Sequence, residues 1–313
     1  MIRDLVRSLR IYQWTKNLVL FAGPVFTLMI LVPRYAAPAV AGFFAFSFAT
    51  SGVYLLNDVV DVERDRLHPV KRERPIASGR VPVGLAAAAG FFLIAAGLLA
   101  CFLLGPRFGW STLAYVVLTI TYSIAWKNMV LLDVFSIAVG FVIRAVAGVE
   151  LMRDRIGSAQ AVELSPWLLV CAFFLALFLA IGKRRHELGV LDEAASRHRG
   201  ALGRYTIRLL DQLVAVVTGA TVLAYSIYTI APETVAKVHG RPLFLTIPFV
   251  LYGIFRYLYL MYAEEKGGNP SEHLLTDRAT LINVLLWCLV VLLILAWPEA
   301  GGTAVPPAPP GAS

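Results

Sequence analysis

Charge is what this 313-residue sequence has least of. Asp, Glu, Lys and Arg together make up 15% of it, against about 25% in a soluble domain. Hydrophobic residues make up 58% and the mean hydropathy is +0.72. So little charge cannot cover a water-facing exterior, whereas a bilayer removes the need for one. The expectation is a single all-α membrane domain over residues 1–298 and a disordered Gly/Pro/Ala-rich tail over 299–313. Cysteine is also scarce. Cys101, Cys171 and Cys288 each sit inside an apolar run and no Cys-x-x-Cys occurs, which argues against a zinc site or a disulfide frame and for small buried hydrophobes. The histidines His68, His186, His198, His239 and His273 are scattered without metal-ligand spacing. Nucleophile-elbow, GxGxxG and P-loop patterns are absent. No convincing small-residue cleavage site follows the first apolar stretch, so that stretch is expected to be retained.

What the chain does have is long apolar runs. A membrane helix needs about 20 mostly apolar residues. Candidate spans are 17–32, 37–57, 83–104, 110–125, 130–150, 166–183, 207–230, 243–262 and 279–297, nine in number. The fourth is short and the first contains Pro24. With nine spans, one side collects twenty Lys and Arg residues, including Arg3, Arg7, Arg10, Lys16 and dense groups at 64–80 and 183–208. The other side collects six: Arg34, Arg107, Arg153, Arg155, Lys237 and Arg241. The positive-inside rule then puts the N-terminus in the cytoplasm of a multi-pass inner (plasma) membrane protein. The same topology accounts for the net charge of +8 without nucleic acid. The long polar loops, 58–82 and 183–208, lie on the cytoplasmic side, so function is expected there.

The second span ends in acids. Asn57, Asp61 and Asp65 are spaced i, i+4 and i+8, which on a helix places them on one face over about 12 Å. Asp58 lies beside them. Such carboxylates repel unless a cation joins them, and oxygen ligands of this kind suit a Mg²⁺ ion that also holds a phosphate. The bland alternative, a solvated helix end, is weakened by position, because the acids follow directly on Val53-Tyr54-Leu55-Leu56 and acids at that depth are costly. The sign of the chain then changes: Arg64, Arg66, Lys71, Arg72, Arg74 and Arg80 follow, among the helix breakers Pro69, Pro75, Gly79 and Pro82. An acidic face beside a basic loop is what a diphosphate needs. Arg64 and Arg80 taken alone read as topology; Lys71 and Arg74 read as functional.

Asn57-Asp58-x-x-Asp61-x-x-x-Asp65 after Tyr54-Leu55-Leu56, followed by His68-Pro69-x-Lys71-Arg72-x-Arg74-Pro75-Ile76-Ala77-Ser78-Gly79, resembles the first signature of the UbiA superfamily of intramembrane prenyltransferases. The resemblance covers about residues 8–297 and implies a nine-helix bundle. Most members carry a second acidic motif after the sixth span. This chain reads Gly182-Lys183-Arg184-Arg185-His186-Glu187-Leu188 instead, with Asp192 and Glu193 only further on, in a loop-like stretch. An acidic patch binds a second metal; a basic patch binds phosphate directly. The basic version is similar to the decaprenyl-phosphate phosphoribosyltransferase branch, as are Gln13-Trp14-x-Lys16-Asn17, Ile143-Arg144-Ala145-x-Ala147-Gly148, and Arg256-Tyr257 with Asp277-Arg278.

That branch implies transfer of 5-phosphoribose from 5-phosphoribosyl 1-diphosphate to a polyprenyl (decaprenyl) phosphate, for arabinan and cell-envelope synthesis. On this reading Asn57 and Asp61 hold Mg²⁺, Asp58 and Asp65 assist, Arg74 or Lys71 helps the diphosphate leave, and Lys183, Arg184 and Glu187 form the cluster at the 5-phosphate, with Tyr54 beside the acids. Lys16, Lys127 and Arg144 are candidates for the lipid phosphate. For each the residues leave an alternative: a membrane-interface anchor for Lys16, pairing with Asp133 for Lys127, a structural ion pair for mid-span Arg144. Arg256 reads equally as snorkelling, and Glu264, Glu265, Asp277 and Arg278 as a mixed cytoplasmic patch with Gly267-Gly268 giving it freedom. A homo-oligomer is compatible with the chain. The rival readings are a prenyltransferase using a prenyl diphosphate and an aromatic or other acceptor, which the missing second acidic motif disfavours, and an anion transporter, which would show inverted repeats with paired broken helices.

Overall fold

In a computed structural model, residues 2–26, 29–67, 70–156, 165–190, 201–264 and 276–296 are described. His68, Pro69, Asp192, Glu193, His198, Glu265, Gly267, Gly268, His273 and the tail 299–313 lie outside them.

The described residues form helices without strands, as apolar runs in a bilayer must when every backbone group has to be satisfied within its own segment. Eight long helices follow one another: α1 (Pro33–Val60), α2 (Val83–Leu104), α3 (Pro106–Ile124), α4 (Leu132–Ile156), α5 (Pro166–Val190), α6 (Ile207–Ile230), α7 (Ile247–Tyr262) and α8 (Arg278–Ala296). Seven segments, all of these except α3, are long and apolar enough to cross a membrane, α7 together with the short turn Leu243–Thr246 before it. The expected first span, 17–32, is not one helix. It is built from a 3-10 segment Ile11–Phe21, a short helix Ala22–Phe26 and a turn Met29–Leu31. Pro24 lies within it.

The first half packs tightly because small residues let backbones approach. A Cβ on Gly97 of α2 would lie 2.6 Å from the Ala49 backbone nitrogen of α1, and one on Gly52 of α1 would lie 2.6 Å from the Gly90 carbonyl oxygen. α4 is central. Its Ala147, Val149, Leu151 and Met152 share one core with Phe46 of α1 and Phe108 and Tyr115 of α3. Its Val134 and Ala138 share another with Phe178 of α5, Leu210 and Val214 of α6 and Tyr257 of α7. The N-terminal strap crosses α1, held where Trp14 Nε1 donates to Ser51 Oγ at 2.9 Å and Ser51 Oγ donates to the Leu9 carbonyl at 2.9 Å. The ends of α1 and α5, the α3–α4 turn and this strap therefore converge.

Candidate active site

α1 stops at Val60. Asp61 stands at the junction and a short helix, Val62–Arg66, follows. Turn-to-turn bonds continue across the break, with Asp61 N donating to the Asn57 carbonyl at 3.0 Å and Asp65 N to the Asp61 carbonyl at 2.8 Å. The acids stay on successive turns as expected, but they do not form one carboxylate cluster. Asp58 and Asp65 are buried at 4% and 3% exposure and share Arg74, whose Nη1 lies 3.1 Å from Asp58 Oδ1 and 2.6 Å from Asp65 Oδ2. Asp58 is also met by Arg10, which adopts a left-handed backbone (φ 53°) at the turn of the strap. Asp61 turns the other way, to Lys127 Nζ at 2.5 Å. Cations do join the acids, but they are the protein's own. Among the described residues no group of three or more His, Cys, Asp or Glu could hold a metal. Asn57 and Lys71 are half-buried.

Lys127 is therefore not the partner of Asp133. That carboxylate, fully buried, accepts from Arg184 Nε at 2.8 Å and from the Tyr205 hydroxyl at 2.7 Å. Burial first, and the bond to Asp133 next, push the Tyr205 hydroxyl up from its ordinary pKa, which keeps it a donor. Arg184 also reaches Glu187 at 2.7 Å and the Tyr122 hydroxyl at 3.3 Å, so Glu187 serves as an ion partner within the cluster. Lys183, one residue earlier and about 100° around the helix, is exposed and has Glu187 as well as Lys16, Arg184 and Arg10 as charged neighbours.

Arg144, 5% exposed in the centre of α4, has no ion pair among the described residues. Nε donates to Asn17 Oδ1 at 3.0 Å, Nη2 donates to the Tyr115 hydroxyl at 2.6 Å, and the guanidinium lies 4.5 Å and 4.9 Å from the Tyr115 and Phe141 ring centroids. Tyr54 lies under Arg10, 5.6 Å from ring centroid to guanidinium. Lys16 faces Arg144 and Arg10. Neither Lys16 nor Arg144 has a carboxylate partner among the described residues. Arg256 lies apart, bidentate on Asp277 at 3.1 and 2.7 Å and 3.8 Å from Glu264, so it is paired within the mixed patch of Glu264 and Asp277.

Arg10, Asn17, Tyr115, Asp133 and Tyr205 carry much of this arrangement without having been singled out as site residues. In the sequence Arg10 reads only as a topology charge. The available signal was its position just before Gln13-Trp14-x-Lys16-Asn17; nothing local marks Tyr115 or Tyr205.

Residues 19–273 match the model of the UbiA prenyltransferase family. The chain belongs to that family. A UbiA protein is a multi-pass membrane protein, consistent with the apolar helices here. Among its relatives is the decaprenyl-phosphate phosphoribosyltransferase of Corynebacterium glutamicum, 32% identical over 294 residues, covering 92% of this chain and 86% of the relative. Another is the protein of the same name from Mycobacterium tuberculosis, 31% identical over 297 residues, covering 93% and 94%. A solved UbiA homologue from Archaeoglobus fulgidus, bound to GPP and Mg²⁺, superposes with a TM-score of 0.68 at 17% identity over 93% of this chain and 99% of that one, which identifies a shared UbiA fold.

Proposed function

We propose that this chain is a phosphoribosyltransferase that moves 5-phosphoribose from 5-phosphoribosyl 1-diphosphate to a polyprenyl phosphate, releasing diphosphate and giving a polyprenylphosphoryl-5-phosphoribose for cell-envelope arabinan. Residues 1–298 act as one catalytic unit, with the N-terminus and site at the cytoplasmic face of the plasma membrane. The observation that carries the reading is a surplus of sequestered positive charge. Lys16 and Arg144 have no carboxylate partner among the described residues, and both lie near a second cation, Arg10 for Lys16 and Lys16 for Arg144. A buried charge without a counter-ion is costly, and a substrate pair bearing several phosphates supplies the missing anions. The names of the two actinobacterial relatives support the donor and acceptor.

The donor set at the acidic end fits a divalent cation. Asn57 and Asp61 offer oxygen ligands one turn apart, and Asp61 already grips a cation in the Lys127 ammonium. Mg²⁺ characteristically takes only one or two protein carboxylates, with phosphate and water completing its shell. Bound there by Asn57 and Asp61, it supplies charge neutralisation for the diphosphate. The protein's own groups do the rest. Arg74, held by Asp58 and Asp65, and Lys71 face the leaving diphosphate. Lys183 and Arg184 hold the 5-phosphate. The anomeric C–O bond breaks, its electron pair leaves with the diphosphate, and a phosphate oxygen of the lipid forms the new C–O bond from the opposite face, inverting α to β. The attacking monoester is already anionic at neutral pH, so Lys16, Lys127 and Arg144 position it and no strong base is required. Tyr54 packs under Arg10 at the edge of this cluster.

The test is direct. Purified protein with Mg²⁺, labelled 5-phosphoribosyl 1-diphosphate and a polyprenyl phosphate should yield a labelled lipid, and Asp61→Asn should abolish it while leaving the helical signal unchanged. Absence of that product with activity on a prenyl diphosphate would overturn the assignment.

A further inference from the structure

One short segment joins the two halves of the site. Lys127, in the turn Trp126–Asn128, holds Asp61. Six residues later Asp133, in the first turn of α4, holds Arg184. Between them Leu131 has a left-handed backbone, φ 69°, a conformation that bulky residues adopt rarely and at a cost. Something outside the segment must fix it. Leu131 N donates to the Tyr205 hydroxyl oxygen at 2.7 Å, and that hydroxyl donates to Asp133 Oδ1 at 2.7 Å. Tyr205 is 4% exposed and Asp133 fully buried, so water cannot replace either bond.

The consequence falls on Arg184. A guanidinium carries five N–H donors in a rigid fork. Among the described residues its contacts to Asp133, Glu187 and Tyr122 use one on each nitrogen, which leaves two for a ligand oxygen. Their direction is set by where Asp133 sits, and Asp133 and Lys127 sit where the Leu131 turn puts them.

We propose that Tyr205 is a positioning residue for donor specificity: its hydroxyl clamps the Leu131 turn and Asp133, and so fixes the separation between the diphosphate end at Asp61, which Lys127 holds, and the 5-phosphate end at Arg184. The proposal rests on the functional reading above, in which Arg184 takes the 5-phosphate. A residue that sets this spacing matters for a ligand spanning both ends and not for one that occupies only the first.

Binding of 5-phosphoribosyl 1-diphosphate and of inorganic pyrophosphate, each with Mg²⁺, is to be measured calorimetrically for wild type, Tyr205→Phe and Asp133→Asn in detergent, with thermal melting alongside. Both variants should lose roughly tenfold in affinity for the phosphoribosyl donor, the worth of one strong buried hydrogen bond, and keep pyrophosphate affinity within about twofold. In turnover the loss should fall on the donor KM more than on kcat. Unchanged donor affinity, or equal loss for both ligands, would overturn the positioning role; equal loss with a collapsed melting temperature would make Tyr205 merely structural. If wild type itself shows no preference for the phosphoribosyl donor over pyrophosphate, the functional reading fails, and the clamp as a specificity device fails with it.

Discussion

Asp65 is a carboxylate at 3% exposure whose charge is met by Arg74 at 2.6 Å. Asp58 has two cations, Arg10 and Arg74, and loses less if one goes. Arg74→Ala should therefore cost about 3 kcal/mol through the stranded Asp65, read as a lowered melting temperature in detergent. Adding Asp65→Asn should restore part of that stability but none of the transfer activity. The types of residue at this site were legible beforehand: oxygen ligands at 57–65, basic residues at 71–74 and 183–184, an interior Arg144. The pairings were not. Whether Asp61 faces Asp65 or Lys127 depends on a helix break at Val60 and on a chain segment 66 residues away, and neither has a local sequence signal. Asp133 and Lys127 are close along the chain, but the Leu131 turn sends one to Arg184 and the other to Asp61.

At the scale of elements, the α1–α2 interface depends on absent side chains. A Cβ at position 97 would meet the Ala49 nitrogen at 2.6 Å, while one at Gly84 in the same helix meets nothing within 4 Å. Gly97→Ala should lower the melting temperature of the purified protein, and Gly84→Ala should leave it unchanged or raise it slightly, since Ala is favoured over Gly in a helix by about 1 kcal/mol. Equal behaviour of the two would show that these backbones do not need their close approach. The long apolar helices are legible in the sequence because composition alone drives them into lipid, although the spans expected at 130–150 and 166–183 run on to Ile156 and Val190, where charged residues end the hydropathy signal but not the helix. The stretch 17–32 was not, because hydropathy marks a run as apolar but does not distinguish one helix from a 3-10 segment and two short pieces around Pro24.

Across the whole molecule, the last helices are tied together at the polar edge. Arg256 of α7 makes two bonds to Asp277, which also accepts from Thr280 N and its hydroxyl at 2.9 and 2.7 Å. The Arg256 guanidinium, aided by Thr280 and opposed by burial, holds the Asp277 carboxyl well below the usual carboxylate range. A depressed carboxyl pKa contributes stability that is complete above the unfolded value, about 4, and is lost as pH falls from there toward the folded value. Wild type should lose melting temperature over that acidic interval more steeply than Asp277→Asn, and parallel curves would exclude the contribution. Orientation is open to test at the same scale: a cysteine at Gly79 should react with an impermeant maleimide only from the cytoplasmic side.

The Tyr205 clamp also bears on how the protein is made. Arg10, Asp61, Lys127, Asp133, Arg144 and Arg184 all precede Tyr205 in the chain, which stands two residues before α6. A ribosome delivers the chain from its N-terminus, so the helices α1 to α5 are made, carrying every cation and carboxylate of the site, before the residue that fastens them is synthesised. Until Tyr205 docks, the Leu131 turn lacks its acceptor and the two phosphate ends have no fixed spacing. Competence therefore arrives late, with the arrival of a single phenol. A chain truncated before Tyr205 would have its charges in place and its active centre unfastened.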